Sequence, residues 1–210
     1  MSIVVALANE NEWCVVTDSQ KTELSTGLPT FGASKSKKVT SDLFVGYAGH
    51  VDACENILKS ALAIHEKVKG NSGDPAEFVE SLKLSIRTLE LEHGYNCLDG
   101  FFFSFLMVGL YKNKPTILIF GTCTNLLVGG IQPMPNGTQV SFLAPDDVPY
   151  KECLNIYNRL TSELGQHIPL SRLGKSLVEE ISQRSKYCGG ETQVLEYSRR
   201  QPEQCSHLGQ

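Results

Sequence analysis

The chain has 210 residues, of which 41% are hydrophobic and 20% charged, and this is ordinary for a globular protein large enough to bury a core. Its formal net charge of −4 at pH 7 argues against nucleic acid or an anionic membrane as a partner. No apolar run approaches the roughly 20 residues of a membrane-spanning helix, and no secretory signal is recognisable. The seven cysteines are scattered without a CxxC pair, so we expect reduced thiols, no zinc ribbon and a cytoplasmic location.

The first predicted elements are strands. Residues 3–8 and 13–16 are apolar runs on either side of a polar turn, which predicts a hairpin covered on both faces. The first strand would then place Ser2, close to the chain terminus, inside the fold. Residues 21–36 are rich in Gly, Ser, Thr and Pro and predict loop or irregular strand, whereas residues 38–47 predict a second hairpin.

In the middle of the chain, the spacing of the apolar residues changes twice. Apolar residues recur at helical spacing over residues 52–69 and again over 74–93, with a Gly- and Asn-containing break at 70–73. The pattern then becomes that of strands over residues 101–111 and 116–120, which are joined by a hairpin turn.

The last part of the chain repeats this order. Two short strands are expected at residues 126–130 and 138–143, and helical periodicity returns over 150–164 and 169–185 before a final strand at 193–197.

The predicted order is strands, two helices, strands, two helices and a final strand. This order favours an α+β architecture with two antiparallel sheets between helix layers. We expect a single domain over residues 1–200 and a polar tail over 201–210.

Four short stretches occur in an informative order. They are SIVVA at 2–6 with VVTDSQ at 15–20, KKV at 37–39, GYAGHVDA at 46–53 and YCGG at 187–190. Together they resemble the proteasome β-subunit and HslV family of N-terminal nucleophile (Ntn) hydrolases, across nearly the whole chain. Asp18 follows Ser2 by 16 residues, which is the family's own offset from nucleophile to aspartate. The resemblance implies the four-layer αββα Ntn sandwich.

The family's chemistry suits a serine at the mature N-terminus. A hydroxyl is a poor nucleophile until a base takes its proton. An α-amine, with an ordinary pKa of about 7.7–8.0, can be that base, and it is already in place when both groups belong to one residue. By resemblance, Ser2 is the nucleophile once Met1 has been removed.

The resemblance also assigns the supporting roles. Lys38 would supply a cation that lowers the pKa of the amine, and Asp18 would keep that lysine charged and oriented. Lys38 is preferred to Lys37 only because a valine follows it. The backbone N–H of Gly49 would be the oxyanion donor.

The chain departs from the family at the groups around the nucleophile. Residues 143–147 contain no match to the family's Gly-Ser-Gly, and its supporting aspartate and serine are replaced by Ser185 and Cys188. Ser185 can still bond the amine, but a thiol is a weaker donor and acceptor than a hydroxyl. His50 replaces a glycine beside the oxyanion position. An ungapped match to the Thr-Thr-Ile-Val start of HslV would put Met1 at the nucleophile position and leave the site inactive.

The leading interpretation is a peptidase that acts by acyl transfer and needs no cofactor or metal. The resemblance implies polypeptide substrates, a ring of like subunits and, as a further partner that the family admits, an ATPase unfoldase. Two alternatives stay open at this point. One is a non-catalytic proteasome-like scaffold subunit, and the other is an Ntn amidase that acts on a small amide.

Overall fold

The computed structural model describes residues 2–22, 26, 28–93, 102–121, 132–133, 137–165 and 168–199. The strands are β1 (Val4–Ala8), β2 (Glu12–Thr17), β3 (Lys21–Thr22), β4 (Pro29–Thr30), β5 (Ser36–Lys38), β6 (Phe44–Gly49), β7 (Phe103–Tyr111), β8 (Lys114–Gly121), β9 (Gln132–Pro133), β10 (Gln139–Leu143) and β11 (Gln193–Ser198). The helices are α1 (Val51–Lys69), α2 (Pro75–His93), α3 (Tyr150–Leu164) and α4 (Leu170–Arg184). The strand expected at 126–130 and the tail at 201–210 lie outside the described residues.

Two antiparallel sheets form the centre of the molecule. The first sheet has the order β11-β2-β1-β10-β9 and the second has the order β5-β6-β7-β8, while β3 and β4 form a separate two-stranded ribbon. The turn between β7 and β8 has positive φ angles at Lys112 and Asn113, as a tight hairpin with a right-handed twist requires.

The four layers follow from alternation along the buried strands. On one face, Val5 and Leu7 of β1 pack with side chains of α3 and α4, as does Ile3 just before the strand. On its other face, Val4, Ala6 and Ala8 pack against the second sheet. A separate apolar cluster joins the second sheet to α1 and α2. The predicted α+β fold with two sheets between helix layers is therefore confirmed.

Two contacts between the sheets show which end of β6 lies over which end of β1. A side chain at Gly46 of β6 would lie 2.5 Å from Val4 Cγ1, so this glycine lets the sheets approach closely over β1. At the other end of the hairpin, the indole Nε1 of Trp13 donates to the carbonyl of Asp42 at 2.7 Å. Because Trp13 pairs with Ala8, the chain before β6 lies at the Ala8 end of β1. Gly49, at the far end of β6, therefore lies at the end where Ser2 enters the sheet.

No helix in the described part of the chain is both long enough and apolar enough to cross a membrane.

Candidate active site

Asp18 is the centre of a buried hydrogen-bond network. It follows β2 directly, is 1% exposed, and receives four donors. Its Oδ1 accepts from the backbone N–H of Ile3 at 3.1 Å and from Lys35 Nζ at 3.0 Å. Its Oδ2 accepts from the backbone N–H groups of Gln20 at 3.3 Å and Gly189 at 3.1 Å. A carboxylate bound in this way is fixed in position and has its charge compensated without water.

Lys35 is the lysine that faces Asp18. Its side chain is 0% exposed, and its Nζ also donates to the backbone carbonyl of Gln20. Burial lowers the pKa of the Lys35 ammonium from its ordinary value, and the neighbouring carboxylate of Asp18 opposes that shift. The two side chains form an ion pair that is closed to solvent.

The expectation that Lys38 would face Asp18 is wrong. Lys37 and Lys38 lie on β5 and are both exposed. The register pairs Ser36 with Gly46 and Lys38 with Phe44, so each step along β5 leads away from the end of the sheet that holds Asp18. Lys35 precedes this strand, and its carbonyl accepts from the N–H of Tyr47, which keeps it at the correct end.

Ser2 lies next to this network. It is 4% exposed, although its side chain is polar. The residue after it is bound twice to Asp18, because Ile3 N–H donates to Oδ1 and the Ile3 carbonyl accepts from the Asp18 N–H at 3.4 Å. Val4 pairs with Leu143, so continuing that register brings Ser2 to the level of Pro145. Met1 lies outside the described residues, and its removal stays a prediction.

Gly49 ends β6 in a conformation that favours glycine. Its φ is +118°, and a Cβ there would overlap the carbonyl oxygen of Phe102. The N–H of His50 donates to that same oxygen at 2.8 Å. The imidazole Nδ1 of His50 then accepts from the N–H of Ala53 and caps α1. The turn from β6 into α1 is thus fixed at the Ser2 end of the sheets.

Ser185 is bonded away from Asp18. Its Oγ donates to Asp147 Oδ1 at 2.7 Å and accepts from the Tyr187 N–H at 3.0 Å. The N–H of Lys186 donates to the other carboxylate oxygen of Asp147 at 3.0 Å. Asp147 was not among the residues predicted from the sequence, where its only signal was a pair of aspartates at the position of the family's Gly-Ser-Gly.

Cys188 lies beside the ion pair. Cys188 is 5% exposed, and its thiol is close enough to Asp18 and Lys35 to be affected by both charges. Burial, followed by the charge of Asp18, raises the pKa of Cys188 to about 12, so the group is a thiol at neutral pH. It is therefore a packing and hydrogen-bonding group and a poor nucleophile.

The segment after Cys188 closes the network. The carbonyl of Gly189 accepts from the N–H groups of Ser19 at 3.2 Å and Gln20 at 2.9 Å, while its own N–H donates to Asp18. The Gln20 amide donates to the carbonyl of Lys186 at 3.3 Å. In the sequence analysis, Gly189 was named only within the YCGG stretch at 187–190, and Gln20 only within the VVTDSQ stretch at 15–20.

The structure therefore brings Asp18, Gly189 and Cys188 together around Lys35, next to the backbone that follows Ser2. Gly49 lies at the same end of the sheets, whereas Lys38 lies apart. Within the described ranges, no cluster of three or more His, Cys, Asp or Glu side chains is arranged to hold a metal ion.

Comparison with known proteins extends this description. No family model matches the sequence, and no curated protein is similar to it in sequence. Among solved structures, eukaryotic HslV from Trypanosoma brucei matches with a TM-score of 0.60 and 10% identity, over 93% of this chain and 99% of that one. The chain is thus an α+β protein with an HslV-like αββα sandwich fold.

Proposed function

We propose that the chain is a peptidase of the N-terminal nucleophile type, in which Ser2 attacks the peptide carbonyl after Met1 has been removed. The buried pair of Lys35 and Asp18, bonded directly to the backbone of Ile3, is the observation that carries this proposal. Packing an apolar pair in such a place is often as stabilising as a buried ion pair or more so, so stability alone is a weak reason for it. Buried, charge-coupled groups are typical of active sites.

The proposed reaction begins at Ser2. Its free α-amine takes the proton from its own Oγ, and Oγ attacks the carbonyl carbon of the scissile bond. The charge that develops on the carbonyl oxygen is stabilised by the N–H of Gly49. The tetrahedral adduct collapses when the C–N bond breaks, and the leaving amine takes the proton from the Ser2 ammonium. Water, activated by the same amine, then hydrolyses the acyl ester and releases Ser2.

Lys35 takes the role that the resemblance gave to Lys38. A fixed cation near the terminus lowers the pKa of the α-amine, so that more of it is neutral and able to accept a proton at pH 7. Asp18 holds that cation in place through its Oδ1, and three backbone N–H groups hold Asp18. The positive charge is therefore fixed before substrate arrives, as electrostatic catalysis requires.

The proposal is tested first at the chain terminus. Mass spectrometry of the purified protein is expected to show Ser2 as the first residue. A panel of fluorogenic peptides is then compared for the native chain, Ser2→Ala and Ser2→Thr. All three residues are small enough for Met1 removal, so the variants differ mainly in the hydroxyl.

Ser2→Thr is expected to keep activity and Ser2→Ala to lose about 10³-fold or more in kcat, as loss of a nucleophile does. Retention of Met1, or full activity in Ser2→Ala, would overturn the peptidase. Hydrolysis of small amides without cleavage of peptides would point instead to the amidase.

One observation favours a second function. The hydroxyl of Ser185 already donates to Asp147 and accepts from the Tyr187 N–H, so its proton is not available to the Ser2 amine. This arrangement suits a proteasome-like subunit that has the fold but does not cleave peptides. An assembled protein that retains Met1 and lacks hydrolysis would identify it as such a subunit.

Assembly into a ring of like subunits, with an ATPase unfoldase as a further partner, belongs to the same proposal, as does a cytoplasmic location. The HslV-like fold supports assembly. Light scattering or native mass spectrometry tests it directly, because a strict monomer would contradict a ring and favour the amidase.

A further inference from the structure

A cavity of about 360 Å³ lies between the ends of the two sheets, and neither the nucleophile nor the ion pair accounts for it. Its walls are mainly apolar and aromatic, and they include Phe102, Phe103, Phe142, Leu143, Ala144 and Val148. Binding cavities for small organic groups are typically about 300–1,000 Å³ and have this composition. The cavity is therefore of a size and character to hold one bulky side chain.

The cavity adjoins the proposed reaction centre. Ala48 and Gly49 belong to the lining, so the residue that carries the proposed oxyanion donor contacts the cavity. Ala144 and Pro145 belong to the lining as well, and the β1–β10 register brings Ser2 to the level of Pro145. A side chain near the scissile bond of a peptide bound at Ser2 and Gly49 is therefore within reach of the cavity.

The polar groups of the lining restrict what can bind. Among the described residues of the lining, Asp146 is the one that is charged, and it is exposed. No lysine, arginine or histidine belongs to the cavity walls as the structure describes them. Phe102 is 66% exposed and belongs to the lining, so an apolar group in the cavity would cover part of its surface. The lining thus favours an uncharged apolar group and disfavours a carboxylate.

We propose that this cavity is a substrate subsite that accepts a bulky apolar side chain, aromatic or branched aliphatic, adjacent to the scissile bond. As a determinant of cleavage preference, the subsite rests on the proposed peptidase function. As a binding site, it is independent of catalysis and is tested separately.

The kinetic test fills the cavity. Ala144→Phe places a ring in the lining, and Ala63→Phe adds the same ring at an exposed position of α1 as a matched control. Fluorogenic peptides with Phe, Leu, Ala or Asp beside the scissile bond are compared. The native chain is expected to prefer Phe and Leu. In Ala144→Phe the ratio of kcat/KM for the Phe peptide to that for the Ala peptide should fall about tenfold or more, and in Ala63→Phe it should stay as in the native chain.

The binding test needs no activity. Saturation-transfer NMR on the Ser2→Ala protein is expected to detect binding of N-acetylphenylalanine amide. Adding Ala144→Phe to the Ser2→Ala protein should weaken the binding of this amide about tenfold or more. N-acetylaspartate amide should not bind. If Ala144→Phe does not fold by circular dichroism, Ala144→Leu provides a smaller filling with the same expected direction.

The outcomes separate the two proposals. Binding that depends on residue 144 in a chain without peptidase activity would keep the subsite and overturn the proposed function. Peptidase activity whose Phe preference is the same in both Phe variants would overturn the subsite and keep the function. Absence of binding by the phenylalanine amide, or equal binding by both Phe variants, overturns the subsite in either case.

Discussion

At the scale of single residues, Asp18 determines the organisation of the site. It gathers donors from Ile3, Gln20, Lys35 and Gly189, which belong to four separate segments of the chain. Among the described residues, Lys35 Nζ donates to this carboxylate and to the Gln20 carbonyl. Loss of one partner would leave the other charged and buried, which is much more costly than loss of a surface ion pair.

Lys35→Met is therefore expected to lower the free energy of unfolding by about 3–5 kcal/mol, because Asp18 is left as an uncompensated buried charge. Lys38→Met changes the same residue type three positions along the chain, at an exposed position of β5, and is expected to stay within about 0.5 kcal/mol of the native chain. Urea unfolding of both variants provides the comparison. Equal stability of the two would mean that the buried pair is not a structural unit.

Cys188 gives a prediction for alkaline pH. In an unfolded chain a thiol ionises near its ordinary pKa of about 8.5, whereas burial raises the pKa of Cys188 to about 12 in the folded chain. Between these values the unfolded chain has released a proton that the folded chain keeps, so the free energy of unfolding falls as pH rises. The effect of Cys188 between pH 8 and pH 10 is about 1–2 kcal/mol.

Urea unfolding of the native chain and of Cys188→Ser at pH 8 and pH 10 measures this effect, since the hydroxyl does not titrate in that range. The variant should lose less stability than the native chain over the same interval. Burial raises the pKa values of Cys54 and Cys153 to about 12 as well, so some pH dependence should remain in the variant. An identical slope in both proteins would show that Cys188 ionises normally.

The sequence alone does not show which lysine pairs with Asp18. The candidates are Lys35, Lys37 and Lys38. All three lie within four residues, and composition does not distinguish them. The distinction comes from the register of β5 against β6, which depends on packing between distant parts of the chain. The pairing of Asp147 with Ser185 joins residues 38 positions apart, and no local pattern indicates it.

At the scale of secondary-structure elements, local patterns were sufficient. The helix predicted at 52–69 is α1 over Val51–Lys69, and the one predicted at 150–164 is α3 over Tyr150–Leu164. Helical spacing of apolar residues is a local property that packing reinforces, because it determines which face is buried. The first hairpin was predictable for the same reason, since every residue of β1 is buried between two layers.

The turn from β6 into α1 leads to a prediction about the stability of glycine variants. Gly49 and Gly70 both have positive φ, at +118° and +62°, but a Cβ would overlap Phe102 at Gly49 and meet open space at Gly70. Gly70→Ala is expected to cost about 1–2 kcal/mol through backbone conformation alone. Gly49→Ala should cost more, because the His50–Phe102 hydrogen bond must also shift. Thermal unfolding of both variants measures the difference, and equal melting temperatures would contradict the steric argument.

At the scale of the whole molecule, the site forms only when segments far apart in the sequence meet. Gly189 donates to Asp18 across 171 positions of the chain. The side-chain oxygen of Gln193, the first residue of β11, accepts from the Lys35 N–H at 3.3 Å. The segment that holds the lysine is therefore positioned by a strand near the C-terminal end. Sequence motifs indicated the participating stretches, but their contacts depend on the complete sandwich.

The outer face of α2 connects this fold to the proposed assembly. Leu84 is 48% exposed and Leu91 is 72% exposed, although α2 packs on the second sheet through its other face. Seven residues correspond to about two helical turns, so the two leucines lie on the same side of the helix. Exposed apolar side chains grouped on one face are typical of protein interfaces.

If like subunits meet through this face, the double variant Leu84→Glu with Leu91→Glu should lower the native mass toward that of one chain, because two carboxylates would be buried without partners. Lys83→Glu changes charge on the same helix at a 49% exposed side chain and serves as the control that should keep the native mass. Native mass spectrometry of the three proteins at one concentration measures the outcome. If the double variant keeps the native mass of the assembly, the subunits meet through another surface. If the native chain is itself a monomer, assembly is no longer part of the proposed function.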